Sequence, residues 1–315
     1  MKMRKYGNKH STTKEVNHGS DDCDYYQKKP GYLKKKCLSQ IARQTQPDFA
    51  VLIVDNDSEK TAEPVFDEFK SQSTIPVEYV CEPVPGYSRA RNCAIMNCKS
   101  RYLGFIDDDC VLAENWVEQG LAAIQKYQSA YVVGCSKNAP STNIFARVER
   151  FITSSWWVNI YDPDSYEMNS ANLDTKNVIL DKTIMEQNRI KFDERFNRHG
   201  GEDTDLGFQM KDQKLIGYYV PGMELVHEEA SSFKRFKRKA FSYGYNCYNL
   251  YQKWSPKNEC QYWDRYRGYR LIDCWLVFFR VKQGNILKDI RFFFFIKLFN
   301  FIWLRGFFRS RSEFK

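Results

Sequence analysis

Four places in the chain gather residues that could do chemistry. The first is Asp107-Asp108-Asp109, which follows the apolar stretch Tyr102–Ile106 without a break. Adjacent carboxylates repel, and a half-buried cluster of them is costly without a counter-charge. In an extended segment, side chains alternate, so Asp107 and Asp109 would share one side. Such a pair can ligate a hard divalent cation, Mg²⁺ or Mn²⁺, which then bridges to phosphate oxygens. The same run also reads as a solvated acidic turn that caps the following helix.

The second place is Gly200-Gly201-Glu202-Asp203-Thr204-Asp205. Two glycines permit close backbone approach or unusual φ. The acids that follow suit the positive end of a helix, or one of them serves as a general base. The third is the stretch from Pro85 to Ile95, where Arg89 and Arg91 sit near a helix start after Gly86. Arginines and a helix N-terminus together suit a phosphate. The fourth is His227, at the end of a strand-like run, which is either a structural residue or a metal ligand.

The elements that must position these residues alternate. Residues 49–57 form a short apolar run ending in acids, the pattern of a buried parallel strand whose end opens onto a site. Further strands are expected over 75–83, 102–109 and 130–135, with a strand pair or bent strand over 216–227. Helices are expected over 30–44, 88–98, 114–127 and from Glu202 onward. Residues 141–175 read as loop. Strands alternating with helices predict a mainly parallel α/β sheet with ligands at the carboxyl ends of its strands. Three regions follow: an irregular N-terminal segment (1–30), a catalytic domain (31–230) and a basic, aromatic helical extension (231–315).

Composition narrows the function. The 315 residues are 43% hydrophobic and carry a net charge of +9, which suits an anionic partner such as a nucleotide or an acidic membrane surface. The ten cysteines include no C-x-x-C pair, and residues 1–22 show no apolar leader core. Reduced thiols in a cytoplasmic protein are the expectation. Nucleic-acid binding is not supported, because the basic residues accompany Phe and Trp without a recognisable module.

Taken in order, residues 51–58, 85–95, 102–109, 175–180, 191–210 and 218–228 resemble the family 2 glycosyltransferases of the GT-A fold. The likeness is to the bacterial polysaccharide- and lipopolysaccharide-building branch, similar to succinoglycan glucosyltransferases. It covers roughly residues 30–245. The resemblance implies the GT-A nucleotide-diphospho-sugar transferase fold, Rossmann-like, with a C-terminal helical extension. It implies an inverting hexosyltransferase that moves sugar from a nucleotide-diphosphate donor, a UDP-sugar, to a saccharide acceptor. Asp55 would contact the nucleobase and Arg91 the nucleotide. Asp107 and Asp109 match a D-x-D motif, with Asp109 the direct ligand of Mn²⁺ or Mg²⁺ and Asp108 near ribose or metal. His227 matches a metal-ligating histidine of some relatives. Asp203 matches the catalytic base, with Glu202 positioning the acceptor. Thr175 and Asn177 fall where relatives line the sugar pocket. One departure stands out: the family opens with an apolar strand that walls the nucleobase pocket, and residues 19–33 contain none. Either Tyr25 or Tyr26 supplies the aromatic wall, or the first strand is lost, through divergence or a damaged reading frame. Two alternatives remain, a non-catalytic GT-A-fold protein and a nucleotidyltransferase.

Residues 286–308 are intensely aromatic but interrupted by Lys297, Asn300 and Arg305, too often for a transmembrane helix. They suit a helix lying in a membrane interface, or one packing on the catalytic domain. The membrane reading places the protein on the cytoplasmic face of a bacterial inner membrane, within reach of a lipid-linked acceptor.

Overall fold

The computed structural model describes residues 37–156, 161–162, 164–168, 173–227, 232–255 and 290–313. The expectations placed on residues 1–36, including Tyr25, Tyr26 and the start of the first helix, lie outside the described residues. So does Trp157.

The elements follow as α1 (Ser39–Ile41), β1 (Val51–Asp55), α2 (Glu63–Gln72), β2 (Val77–Cys81), α3 (Tyr87–Asn97), β3 (Tyr102–Ile106), β4 (Cys110–Leu112) and α4 (Trp116–Tyr127). Then come β5 (Tyr131–Asn138), α5 (Ile144–Trp156), β6 (Asn177–Asp181), α6 (Lys182–Gln187), α7 (Glu202–Asp212), β7 (Gly217–His227), α8 (Phe233–Trp254) and α9 (Ile290–Glu313). β1 and β2 pair in parallel. A five-stranded sheet has the order β3-β6-β5-β7-β4. Within it β5 and β7 are parallel, and the β3–β6, β5–β6 and β4–β7 pairings are antiparallel. The parallel expectation therefore holds for two pairings, while β3, β6 and β4 run against their neighbours.

β7 is the expected bent strand. Its register against β5 slips between Gly134, opposite Val220, and Cys135, opposite Glu224. The extra residues carry Pro221, which cannot donate to the ladder. Two apolar layers cover the sheet. One holds Ile53, Trp116, Ile179 and Leu225, and the other holds Phe105, Tyr131, Leu180 and Leu206. The seven described cysteines are all free thiols.

Part of the segment read as loop is α5. Its apolar residues Ile144, Phe145, Val148, Phe151 and Ile152 recur at helical spacing, and they pack on the C-terminal helices. The side chain of Asn143 accepts hydrogen bonds from the backbone N–H groups of Phe145 and Ala146, at 2.8 and 3.3 Å, and so caps the start. The acidic triplet also departs from expectation. The strand does not continue through it: the N–H of Cys110 donates to the carbonyl of Asp107, closing a turn between β3 and β4. Asp107 and Asp109 thus face different partners.

α8 and α9 pack side by side. Phe236, Ala240, Tyr243, Cys247, Leu250 and Trp254 recur every three and four residues along α8. Phe292, Ile296, Phe299 and Trp303 do the same along α9, and members of both rows meet in one cluster. A Cβ added to Gly244 would lie 1.8 Å from the backbone oxygen of Trp303, so the helices touch backbone to backbone there. Gly244→Leu should therefore destabilise the protein by about 1–3 kcal/mol, the range for overpacking a tight contact. Thermal unfolding measures it, and an unchanged midpoint would mean that α9 is not seated on α8.

Candidate active site

The carboxyl ends of β1 and β3, the turn after β3, the start of α7 and the inner face of α8 enclose a cavity of about 1190 Å³. Asp55 closes β1. It is 5% exposed, and its Oδ2 accepts from the Tyr79 hydroxyl at 2.9 Å and the Ala62 N–H at 2.8 Å. Burial and that hydrogen bond raise the Tyr79 phenol above its ordinary range.

Arg91, on α3, joins the two acidic groups. Its Nη1 donates to Glu202 Oε1 at 2.8 Å, and its Nη2 lies 3.6 Å from Asp107 Oδ1. The guanidinium stacks over the rings of Tyr87 and Phe192 at 5.9 and 5.6 Å, which holds it in place. Arg89 does not join it, because it pairs with Glu194 at 2.9 Å.

On the far side of the turn, Asp109 meets His227. Their Oδ1 and Nε2 atoms are 3.0 Å apart, with Arg235 at 3.8 Å from the other oxygen. The contact follows from register, since Cys110 pairs with His227 across β4 and β7. Burial works against the Asp109 charge, but the hydrogen bond to His227 and the nearby cations hold its carboxyl below the usual range. Burial within the cleft, then the charges of Asp109 and Asp107, push Asp108 up to about 6, although its side chain reaches solvent at the cleft mouth. Among the described residues, no three His, Cys, Asp or Glu side chains converge into a ready cation cage. Asp109 and His227 instead offer one oxygen and one nitrogen donor. That fits a divalent cation that takes its remaining ligands from phosphate and water.

α7 begins at a left-handed pair, Gly200 at φ +83° and Gly201 at φ +99°. Side chains rarely adopt that backbone, and a Cβ at Gly200 would also strike the Tyr243 ring at 2.3 Å. The turn delivers Glu202 and Asp203 into the cavity at the positive end of α7. Glu202 is 4% exposed. One of its oxygens is held by Arg91, and the other, Oε2, is buried with no hydrogen-bond partner among the described residues. Burial, then the charges of Glu202 and Asp174, push Asp203 up to about 7, against the pull of Arg91. The third acid, Asp205, faces away and is held by Trp254 Nε1 at 2.8 Å and Lys253 at 2.8 Å.

Of the two pocket positions on β6 and its approach, Thr175 lines the cavity and Asn177 does not. Asn177 is wholly buried. Its Oδ1 accepts from Trp116 Nε1 at 2.7 Å, and its amide donates to Ser136 and to the Met223 carbonyl at 3.2 and 3.3 Å. The neighbouring positions bring charge instead. Asp174 accepts from Ser136 at 2.7 Å and from Lys176 at 2.6 Å, and both Asp174 and Lys176 line the cavity. Sequence reading also passed over His199 and Lys239. Burial, then nearby cations, lower His199 well below its ordinary range, and its Nε2 lies 3.2 Å from the Tyr243 hydroxyl. Lys239 pairs with buried Glu149 at 3.2 Å. The signal for His199 was its place directly before Gly200. Lys239 had no signal beyond lying in a basic helix.

The raised Asp203 pKa has a consequence for stability. The folded protein holds that proton more tightly than the unfolded chain, so the contribution is complete below 3.8 and is lost as pH rises through about 7. Asp203→Asn stays neutral. Its stability relative to the unsubstituted protein should improve steadily between pH 3.8 and about 7. Thermal unfolding across that window reads the effect, and a difference that stays constant with pH contradicts it.

The Glycosyl transferase family 2 model matches residues 31–188, half of the chain. Glycosyltransferase GlyA of Streptococcus pneumoniae serotype 4 is 30% identical over 103 residues, covering 33% of this chain and 14% of the relative. Succinoglycan biosynthesis protein ExoM of Rhizobium meliloti is 29% identical over 100 residues, covering 31% and 32%. Hyaluronan synthase of Pasteurella multocida is 20% identical over 231 residues, covering 64% and 24%. The matches thus span a third or less of these relatives' own length. Among solved structures, S. aureus TarS 1-349 in complex with UDP-GlcNAc superposes with a TM-score of 0.48 at 14% identity, covering 68% of this chain and 63% of that one. The family match spans α1 to α6 and takes in Asp55, Arg91 and the acidic turn after β3, so this chain, an α/β protein of the GT-A type with a helical C-terminal region, belongs to glycosyl transferase family 2.

Proposed function

We propose that the chain is an inverting glycosyltransferase that moves a hexosyl unit from a UDP-sugar to a saccharide acceptor in bacterial cell-surface polysaccharide synthesis. The observation that carries this reading is Arg91. One guanidinium touches both the acidic turn that would meet a diphosphate and the glutamate beside the candidate base. Donor and acceptor chemistry therefore share one cavity.

Asp55 and Arg91 bind the nucleotide, with Asp108 near the ribose and Thr175 near the sugar. Asp109 and His227 would hold Mn²⁺ or Mg²⁺, whose charge offsets the diphosphate leaving group when bound, while Asp107 stays beside Arg91. Asp203 accepts the proton of the acceptor hydroxyl as it attacks the anomeric carbon from the side opposite the departing diphosphate. That approach inverts the configuration. A carboxyl pushed up to about 7 suits the task, because a base works best with a pKa near the working pH. Glu202, fixed by Arg91, presents its second oxygen to position the acceptor.

Two substitutions separate these roles. Asp109→Ala should weaken UDP binding in the presence of Mn²⁺ by at least about tenfold in calorimetry, the equivalent of one lost ligand. EDTA should remove the binding altogether. Asp203→Asn should leave UDP affinity nearly intact and lower turnover by about 10²–10⁴-fold, the usual contribution of a general base. Equal losses of binding and turnover in Asp203→Asn would make it a donor ligand or a helix cap. A second reading, a GT-A protein that binds without catalysis, is favoured by β1 and β3 each having one edge unpaired among the described residues. UDP binding without any turnover in the unsubstituted chain would select it.

We further propose that α9 rests on the cytoplasmic face of the membrane. No helix among the described residues is long and apolar enough to cross one. The face of α9 turned away from α8 exposes Phe294, Phe301 and Phe308 at 60%, 59% and 55%, and Arg291 and Arg305 are exposed on the same helix. Aromatics and cations together suit an anionic lipid interface, and a lipid-linked acceptor would be met there. Replacing all three phenylalanines by Ser should abolish flotation with phosphatidylglycerol vesicles without lowering the unfolding midpoint. Retained flotation overturns the proposal.

A further inference from the structure

Among the described residues, β1 and β3 each keep one edge without a partner strand. Among the described residues, β1 pairs only with β2, and β3 only with β6. All five residues of β1 and all five of β3 line the cavity, whereas β2 contributes only Glu78 and β6 only Ile179. The cavity therefore extends between the unpaired edges of β1 and β3. Their side chains nonetheless fall into the same two layers. Val51 and Ile53 join Tyr102 and Ile106 in one cluster, and Leu52 and Val54 join Leu103 and Phe105 in the other. The strands also start at the same end. Lys99, just before β3, pairs at 2.5 Å with Glu78, which stands opposite Leu52 in the β1–β2 ladder. A strand seated between them would run parallel to both and would be covered on both faces. Such a strand is apolar at nearly every position.

The chain reaches this slot at its acidic end. Cys37, the first described residue, lies 3.9 Å from the carbonyl of Asp107. A strand parallel to β1 and β3 that preceded Cys37 would finish at that same end. As written, however, residues 1–36 contain no apolar run of five. Seating Asp21, Asp22 and Asp24 between β1 and β3 would bury three carboxylates without counter-charges.

The genetic code offers the occupant. Aspartate is written GA-pyrimidine, cysteine UG-pyrimidine, tyrosine UA-pyrimidine, and glutamine CA-purine. The codons for residues 21–27, read one nucleotide downstream, give the same class of sequence whatever their third bases. They spell Met or Thr, Ile or Thr, Val or Ala, then three positions of Ile or Thr, and finally Lys or Arg. Six uncharged residues, most of them β-branched, fit a strand buried on both faces. We propose that the slot between β1 and β3 is the seat of this parallel strand, and that residues 21–27 are its displaced-frame reading. The restored sheet would have the order β2-β1-new strand-β3-β6-β5-β7-β4. This inference does not rest on the reaction proposed above.

Amide hydrogen exchange tests it in the full chain, with the β5 and β6 amides as the internal reference. In the unsubstituted protein, the β1 and β3 amides should exchange faster than the reference. A chain carrying Asp21→Thr, Asp22→Ile, Cys23→Val, Asp24→Ile, Tyr25→Ile, Tyr26→Thr and Gln27→Lys should slow β1 and β3 exchange at least tenfold and leave the reference unchanged. Should that chain aggregate, a synthetic Thr-Ile-Val-Ile-Ile-Thr strand flanked by lysines, added to the unsubstituted protein, should give the same protection saturably. A peptide of the same composition in scrambled order with two aspartates should not. Protection of β1 and β3 equal to the reference in the unsubstituted protein overturns the proposal. So does exchange that neither the substitutions nor the peptide slows.

Discussion

The site depends on one guanidinium. Glu202 and Asp107 belong to elements more than ninety positions apart, and each would be repelled by the acids around the other. Arg91 lies within 2.8 Å of one and 3.6 Å of the other. Its charge is permanent, and the Tyr87 and Phe192 rings fix its plane. Because it satisfies only one oxygen of Glu202, the other stays buried without a hydrogen-bond partner among the described residues. Arg91 is also the cation that works against the rise in the Asp203 pKa. The guanidinium thus both gathers the acids and limits how far they can be neutralised.

Sequence patterning revealed most of the strands and the start of α7, because an apolar run that stops at acids or histidine suits a buried strand opening onto a polar cleft and little else. It showed less of the side-chain geometry. The three aspartates invited period-two reasoning, yet the chain turns after Asp107, and only the antiparallel return of β4 brings Asp109 to His227. Asn177 matched a pocket position but is consumed by Trp116, Ser136 and Met223, partners that no local pattern announces. α5 was hidden because its apolar stripe is answered only by α8 and α9, far away in sequence.

The boundary near residue 230, natural on composition, does not divide the chemistry. Lys253 and Trp254 of α8 hold Asp205, while Asn246 donates to the carbonyls of Arg198 and Gly200. Tyr243 abuts Gly200 and reaches His199. The turn that aims Glu202 and Asp203 is therefore braced from the helical side. The basic helix is one wall of the cavity.

That shared wall ties the cavity to the C-terminal helix. The inner face of α8 touches the Gly200-Gly201 turn, and its outer neighbour α9 carries the exposed phenylalanine stripe, with glycine at Gly244 and Gly306 bringing the two helices close. If the stripe is what meets lipid, the cavity is held at a fixed height above the bilayer, set by one helix diameter of about 10 Å, because Trp303 of α9 itself lines the cavity. Whatever enters the cavity would then have to stand off the membrane by that distance to reach Asp203.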